Sequence, residues 1–319
     1  MGRSTGRGVA PRSWRTTVAV GLAVMALTST AWASAASAAP GSHGGGGGGG
    51  GSTTVTTGND VSYPQCGSSL PSATAFGIVG VNGGLADTPN NCLGTADGLS
   101  SSELYWALTT ANGSTSQPKA SLYVNTADPG NTYNGTVIGD WPNSNNLLPS
   151  TVTDPYGPCE TTSSGLGENS PACAWQYGWN MATQDAGWLT TAADAINALT
   201  GATTATTSPG AYPWWLDVET ANTWQSGSTG IEMNVADLQG MVSALQYAGV
   251  DVVGAYSTSY QWGQIVGNTD SQSLTFGSSM YSNNLYQIPD WIPGARSSSG
   301  AQSNCSLPSF TGGTVTVTQ

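Results

Sequence analysis

Basic residues are almost missing from this chain, where six Lys and Arg stand against eighteen Asp and Glu. Four of the six, Arg3, Arg7, Arg12 and Arg15, lie near the N-terminus, leaving Lys119 and Arg296 for everything else. Histidine is scarcer still. His43 is the only one, and it borders the glycine run 44–51. That excludes Ser–His and Cys–His nucleophilic catalysis, and any histidine-based metal site. The chain has no G-x-S-x-G elbow, no P-loop and no Gly-rich dinucleotide fingerprint after a strand, so no cofactor is expected. The cysteines show no C-x-x-C or Cys/His spacing for zinc, so no metal is expected either. Long apolar runs are missing after the N-terminal segment, and nothing suggests a membrane span.

What is present begins with that segment. The four arginines form a positive n-region, Thr17–Leu27 is an apolar stretch too short to span a bilayer as a stable helix, and small residues 33–39 follow. The pattern predicts a signal peptide over residues 1–38 with cleavage after Ala38, and a secreted, extracellular protein. Residues 39–57 read as a Gly-rich linker, and 58–319 as one large domain of barrel size. Without the signal, two basic residues against eighteen acids leave a net charge of −16. Such a surface repels nucleic acid and anionic membrane, so neither is expected as a partner. The remaining polar surface of Ser, Thr, Asn, Gln and Gly suits a protein that handles neutral polymers, and a monomer is expected. Five cysteines fit an oxidising compartment and disulfides. Cys159 with Cys173 is the nearest pair and Cys66 with Cys92 the next, which leaves Cys305 over.

From residue 58 short β-rich runs alternate with helical stretches. "GNDVSYP" (58–64), "AFGIVGV" (75–81), "ASLYVNTA" (120–127), "WWLDVE" (214–219) and "VDVVGAY" (250–256) read as strands. Ser100 with Glu103 forms a capping-box pattern for a helix that ends at Gly113. Residues 172–201 form the longest helical stretch, stopped by Gly201. Asn234 is placed to cap a helix that ends at Gly249, and "SYQWGQIVG" reads as a short helix. Residues 128–171 are a Pro/Gly/Asn-rich insertion, and "PDWIPGA" and "GGTVTVTQ" look like late strands with little helix between them. Strands separated by helices and buried on both faces predict a parallel α/β sheet, and at this length a TIM-like (β/α) barrel.

The chemistry left after elimination is that of carboxylates. In "PWWLDVETANTW" (213–224), Asp217 and Glu219 share one face of a strand, roughly 6.5 Å apart along the chain. Burying two like charges side by side is costly unless something uses them. Glycosidic cleavage uses two: one held protonated to donate to the leaving oxygen, one ionised to support the cationic centre. Trp215 has the same parity and faces the barrel interior. Trp224 and Trp262, in segments after strands, are candidate sugar-stacking residues.

These residues resemble glycoside hydrolase family 25, the Chalaropsis-type lysozymes, across 58–319. "GNDVSYPQCG" is similar to the family's first strand, "FGIVGVNGG" to its second and "LYVNTA" to its third. "WWLDVET" is similar to its D-x-E strand, "VVGAYSTSYQW" and "DWIPGA" to two later ones, and "VTVTQ" to its "W-Q-Y" strand. The resemblance implies a (β/α)5(β)3 barrel, lacking its last strand beyond Gln319, and a retaining muramidase. It implies Glu219 as acid/base, Asp217 as assisting carboxylate and Asp60 as a supporting carboxylate, with Tyr123 and Tyr256 lining the cleft. Gly80, Asn82 and Gly83 stand where the family has a Lys-and-Glu pattern, and Tyr123–Val124–Asn125 where it has Y-H-F; Asn125 joins the candidate substrate contacts. The expected function is a secreted glycosidase acting on an amino-sugar polymer of the peptidoglycan type. The alternative is a non-catalytic glycan-binding or surface protein on a degenerate barrel.

Overall fold

The computed structural model describes residues 35–38, 56–72, 74–113, 117–144, 148–267, 271–276 and 279–319. In chain order the elements are β1 (Ala35–Ala38), β2 (Thr56–Val61), β3 (Gly77–Gly80), α1 (Glu103–Thr110), β4 (Ala120–Asn125), the small hairpin β5 (Thr132–Tyr133) and β6 (Thr136–Val137), and α2 (Pro171–Thr200). They continue with β7 (Trp214–Asp217), α3 (Gly227–Tyr247), β8 (Val253–Tyr256), α4 (Ser259–Ile265), the hairpin β9 (Ser273–Phe276) and β10 (Ser279–Ser282), β11 (Asp290–Ile292), α5 (Ser298–Asn304) and β12 (Val315–Thr318).

Seven strands run parallel in the order β2, β3, β4, β7, β8, β11, β12, and the sheet curls until its edges approach. β1 pairs antiparallel with both edge strands and completes the ring. Its four residues fall inside the segment read as signal peptide, so the seam between β2 and β12 is bridged by the full chain's own N-terminal part.

Side-chain alternation splits the apolar residues into two layers. On β7 and the residue after it, Trp214, Leu216 and Val218 point outward into the core between sheet and helices, while Trp215 points inward to meet Phe76, Ile78, Trp291 and Val317. The inner layer is filled by pairing large with small. A side chain at Gly80 would stand 2.6 Å from the Ser62 Cβ and 3.1 Å from the Tyr123 ring, so the missing Cβ on β3 is the room that Tyr123 occupies. In the outer layer α2 and α3 cross in backbone contact, because a Cβ at Gly178 or Gly240 would overlap the carbonyls of Asp237 and Trp175.

Two expectations are corrected. α1 is capped by Ser102, whose hydroxyl accepts from the Tyr105 amide at 3.2 Å; Ser100 is spent in a 3-10 turn, and Glu103 is buried with its carboxylate accepting from Asn90 at 2.7 Å. α3 starts two turns before Asn234, after Ser226. Asn234 lies inside it and ties the helix to the chain before it, donating to the carbonyls of Gln225 and Ile265. Between the late strands β11 and β12 there is little helix, the seven-residue α5. Cys66 is bonded to Cys92 and Cys159 to Cys173, while Cys305 is unpaired and half-buried. No described helix is long and apolar enough to cross a membrane. Asn134 and Gly135 make the turn of the β5–β6 hairpin with φ of 50° and 77°.

Candidate active site

Because the strands are parallel, their C-terminal ends gather at one end of the sheet, where parallel α/β folds carry their sites. Asp217 is the last residue of β7 and Tyr256 the last of β8, and the two are register partners. Glu219 lies two residues further along the same face. Together with Asp60 of β2, Tyr123 of β4, Trp291 of β11 and Gln319, they line a cavity of about 120 Å³. No Lys, Arg or His is among them.

The D-x-E backbone is held carbonyl by carbonyl. The Thr126 hydroxyl donates to the Asp217 carbonyl at 2.6 Å, Ser257 to that of Val218 at 2.7 Å, and the Trp224 indole to that of Glu219 at 2.8 Å. Asn222 adds a second donor to each of the outer two. The segment that presents both carboxylates is thereby fixed from outside the cavity, leaving the acids free to face into it.

Electrostatically the site is crowded. Burial raises the Asp217 pKa well above the ordinary carboxylate range, and the nearby charges of Glu219 and Asp60 push it further. Glu219 is also raised by burial, against a hydrogen bond from Gln261 that favours its ionised form. Asp60 is pushed up to about 6 by burial. Burial and then the surrounding carboxylates raise both phenols, Tyr123 and Tyr256, so they remain neutral donors. With three acids and no base, ionising Glu219 or Asp60 makes Asp217 harder to ionise. Their positions differ: Asp217 is only 7 % exposed, whereas Glu219 is half-buried beyond the strand end. Glu219 is thus the more exposed carboxyl of the D-x-E pair.

Four polar atoms at the cavity are buried without a partner: Asp60 Oδ1, Asp217 Oδ1, Gln319 Oε1 and the Trp291 Nε1–H. A ligand carrying hydroxyl or amide groups would satisfy them. Trp291 packs edge-on to Tyr256 and Tyr123, with ring centroids 4.7 and 6.2 Å away, and forms the apolar wall. The described residues contain one group with metal-like spacing, Cys66, Cys92 and Asp97, but its two sulfurs are joined in a disulfide and offer no thiolate.

The cavity thus unites five of the eight candidate residues: Asp60, Asp217, Glu219, Tyr123 and Tyr256. The other three lie elsewhere. Trp262 is a correction: it is 2 % exposed on the inner face of α4 against Phe310, closed to any ligand. Trp224 is half-buried and serves the Glu219 carbonyl. Asn125 is engaged with Asn82, bracing β4 against the segment after β3 through bonds of 2.8 to 3.2 Å. Trp291 and Gln319 complete the cavity without having been singled out, although their strands were.

The fold and site define a carboxylate-lined cavity on a curled parallel α/β sheet. Residues 184–277 match the sequence model of a family described as lysozyme-like protein 1. No curated protein and no solved structure matches the chain. The matched segment contains β7, Glu219, α3 and Tyr256, so the lysozyme-like part of the chain is the part that carries the D-x-E acids.

Proposed function

We propose that the protein is a secreted glycoside hydrolase of the family 25 type, on a (β/α)5(β)3-like barrel, that cleaves an amino-sugar polymer such as peptidoglycan. The observation that carries this reading is the convergence of Asp60, Asp217 and Glu219 in one base-free cavity walled by Tyr and Trp rings. Glu219 donates its proton to the leaving glycosidic oxygen, since it is the more exposed carboxyl of the D-x-E pair. Asp217, ionised once that proton has gone, stabilises the positive charge developing at the sugar, and Asp60 adds to the same negative field. Trp291, Tyr123 and Tyr256 orient the ring, and a water then adds to the anomeric carbon and returns its proton to Glu219. A polysaccharide with no net negative charge suits the acidic surface, and the two disulfides suit an extracellular setting.

A non-catalytic glycan-binding role has one observation in its favour, the small size of the cavity, about 120 Å³. Release of new reducing ends from purified peptidoglycan and from chitin separates the two readings. Hydrolysis of at least one polymer is expected. Retention on both with no new ends from either would contradict the enzymatic reading.

A further inference from the structure

A second cavity, about 370 Å³, opens on the helical layer and shares no residue with the carboxylate site. Its size lies within the roughly 300–1,000 Å³ of small-ligand sites. α2 and α3 form one side, and Thr151, Val152, Thr153, Pro155, Ser282 and Asn284 form the other. No Asp, Glu, Lys, Arg or His lines it among the described residues.

Its lining combines an aromatic platform with amides and hydroxyls. Tyr247 is 57 % exposed, with its ring 5.6 Å from that of Trp179, and the exposed Gln246 and Thr153 stand on the rim. At the floor Asn284 donates to the Gln239 carbonyl at 3.1 Å and to the Ser243 hydroxyl at 3.0 Å. Its Oδ1 is buried with no partner, an acceptor that wants a donor from whatever enters. A flat apolar ring beside uncharged donors and acceptors fits the two surfaces of a sugar, whose C–H face stacks while its edge carries hydroxyl and amide groups.

We propose that this cavity is a second, non-catalytic site for uncharged sugar units, which holds the protein on its polymer while the carboxylate cavity acts. The sugar class rests on the proposed function; the residues do not. The geometry assigns Tyr247 as the stacking ring and Asn284 Oδ1 as the fixed acceptor.

The test is the stoichiometry of the β-1,4-linked N-acetylglucosamine trimer, measured by calorimetry on folded Glu219→Gln protein so that nothing is cleaved. Two sites per chain are expected. Adding Tyr247→Ala should weaken one of them by about three- to tenfold, and Thr153→Trp, which fills the rim from an exposed loop, should remove it. One site in Glu219→Gln that either change weakens or removes would support this inference while removing the carboxylate cavity as a glycan site. One site untouched by both changes would overturn the inference and leave the carboxylate reading standing. No binding by Glu219→Gln would overturn it as well.

Discussion

Asp128 offers a test of how this acid-rich chain responds to pH. It is fully buried in the segment after β4, where its Oδ1 accepts from the Gly130 amide at 3.1 Å and the Gln225 side chain at 2.9 Å. Its Oδ2 has no partner. Burial outweighs those two bonds and pushes its pKa up to about 7 from the ordinary 3.8. An acid with a raised folded-state pKa stabilises the fold below its unfolded pKa, and that stability is lost as pH rises through the folded value. A gap of about three pH units, at about 1.4 kcal/mol each, makes roughly 4 kcal/mol lost between pH 4 and pH 7 from this one group. Asp128→Asn keeps the Oδ1 acceptor and abolishes the titration. It adds a donor without a partner, at a pH-independent cost of about 1–3 kcal/mol. The expected signature is therefore a flatter slope rather than a uniform change: the variant is less stable than wild type at pH 4 and no worse, or better, at pH 8. Urea unfolding at several pH values reads this directly. Parallel wild-type and variant curves, or a wild type whose stability rises from pH 4 to 8, would refute the reasoning.

Trp224→Phe removes the indole donor to the Glu219 carbonyl; it should cost about 1 kcal/mol in stability and lower kcat at nearly constant KM, and an unchanged kcat would deny the indole its positioning role. Gly80→Ala places a methyl against Ser62 and Tyr123, and should lower the urea midpoint by the equivalent of about 1–3 kcal/mol; an unchanged midpoint would mean the inner layer is looser than described. Non-reducing peptide mapping should recover Cys66–Cys92 and Cys159–Cys173 with Cys305 alkylatable, and Cys305 linked to Cys66 or Cys92 would contradict the pairing.

Much of the frame was legible because alternation is strict where both faces are buried. The parity of "WWLDVE" put Trp215, Asp217 and Glu219 on one face, and the structure sends Trp215 into the inner layer and both acids into the cavity. Trp291 escaped notice because β11 is three residues long, too short for a parity argument. Trp262 reads as a sugar-stacking candidate after a strand, although its spacing with Ile265 and Val266 already marks the buried face of a short helix. The start of α3 was hidden by Gly227 and Gly230, which read as loop. Gly230 is tolerated in the helix because its bare face lies against Gln225, a packing reason that no local pattern contains. Ser100 reads as the cap of α1 because Glu103 follows three residues later, but the 3-10 turn Leu99–Ser101 takes Ser100 up and leaves Ser102 as the cap.

The central claim is that Glu219 supplies the proton for glycosidic cleavage. It is tested most directly by the rate of reducing-end release from peptidoglycan by Glu219→Gln, with circular dichroism confirming the fold. The amide keeps shape and hydrogen bonding but has no proton to give, and loss of general acid catalysis predicts a fall of about 10²–10⁴-fold. Asp217→Asn should also slow release. Undiminished release by well-folded Glu219→Gln would contradict the account.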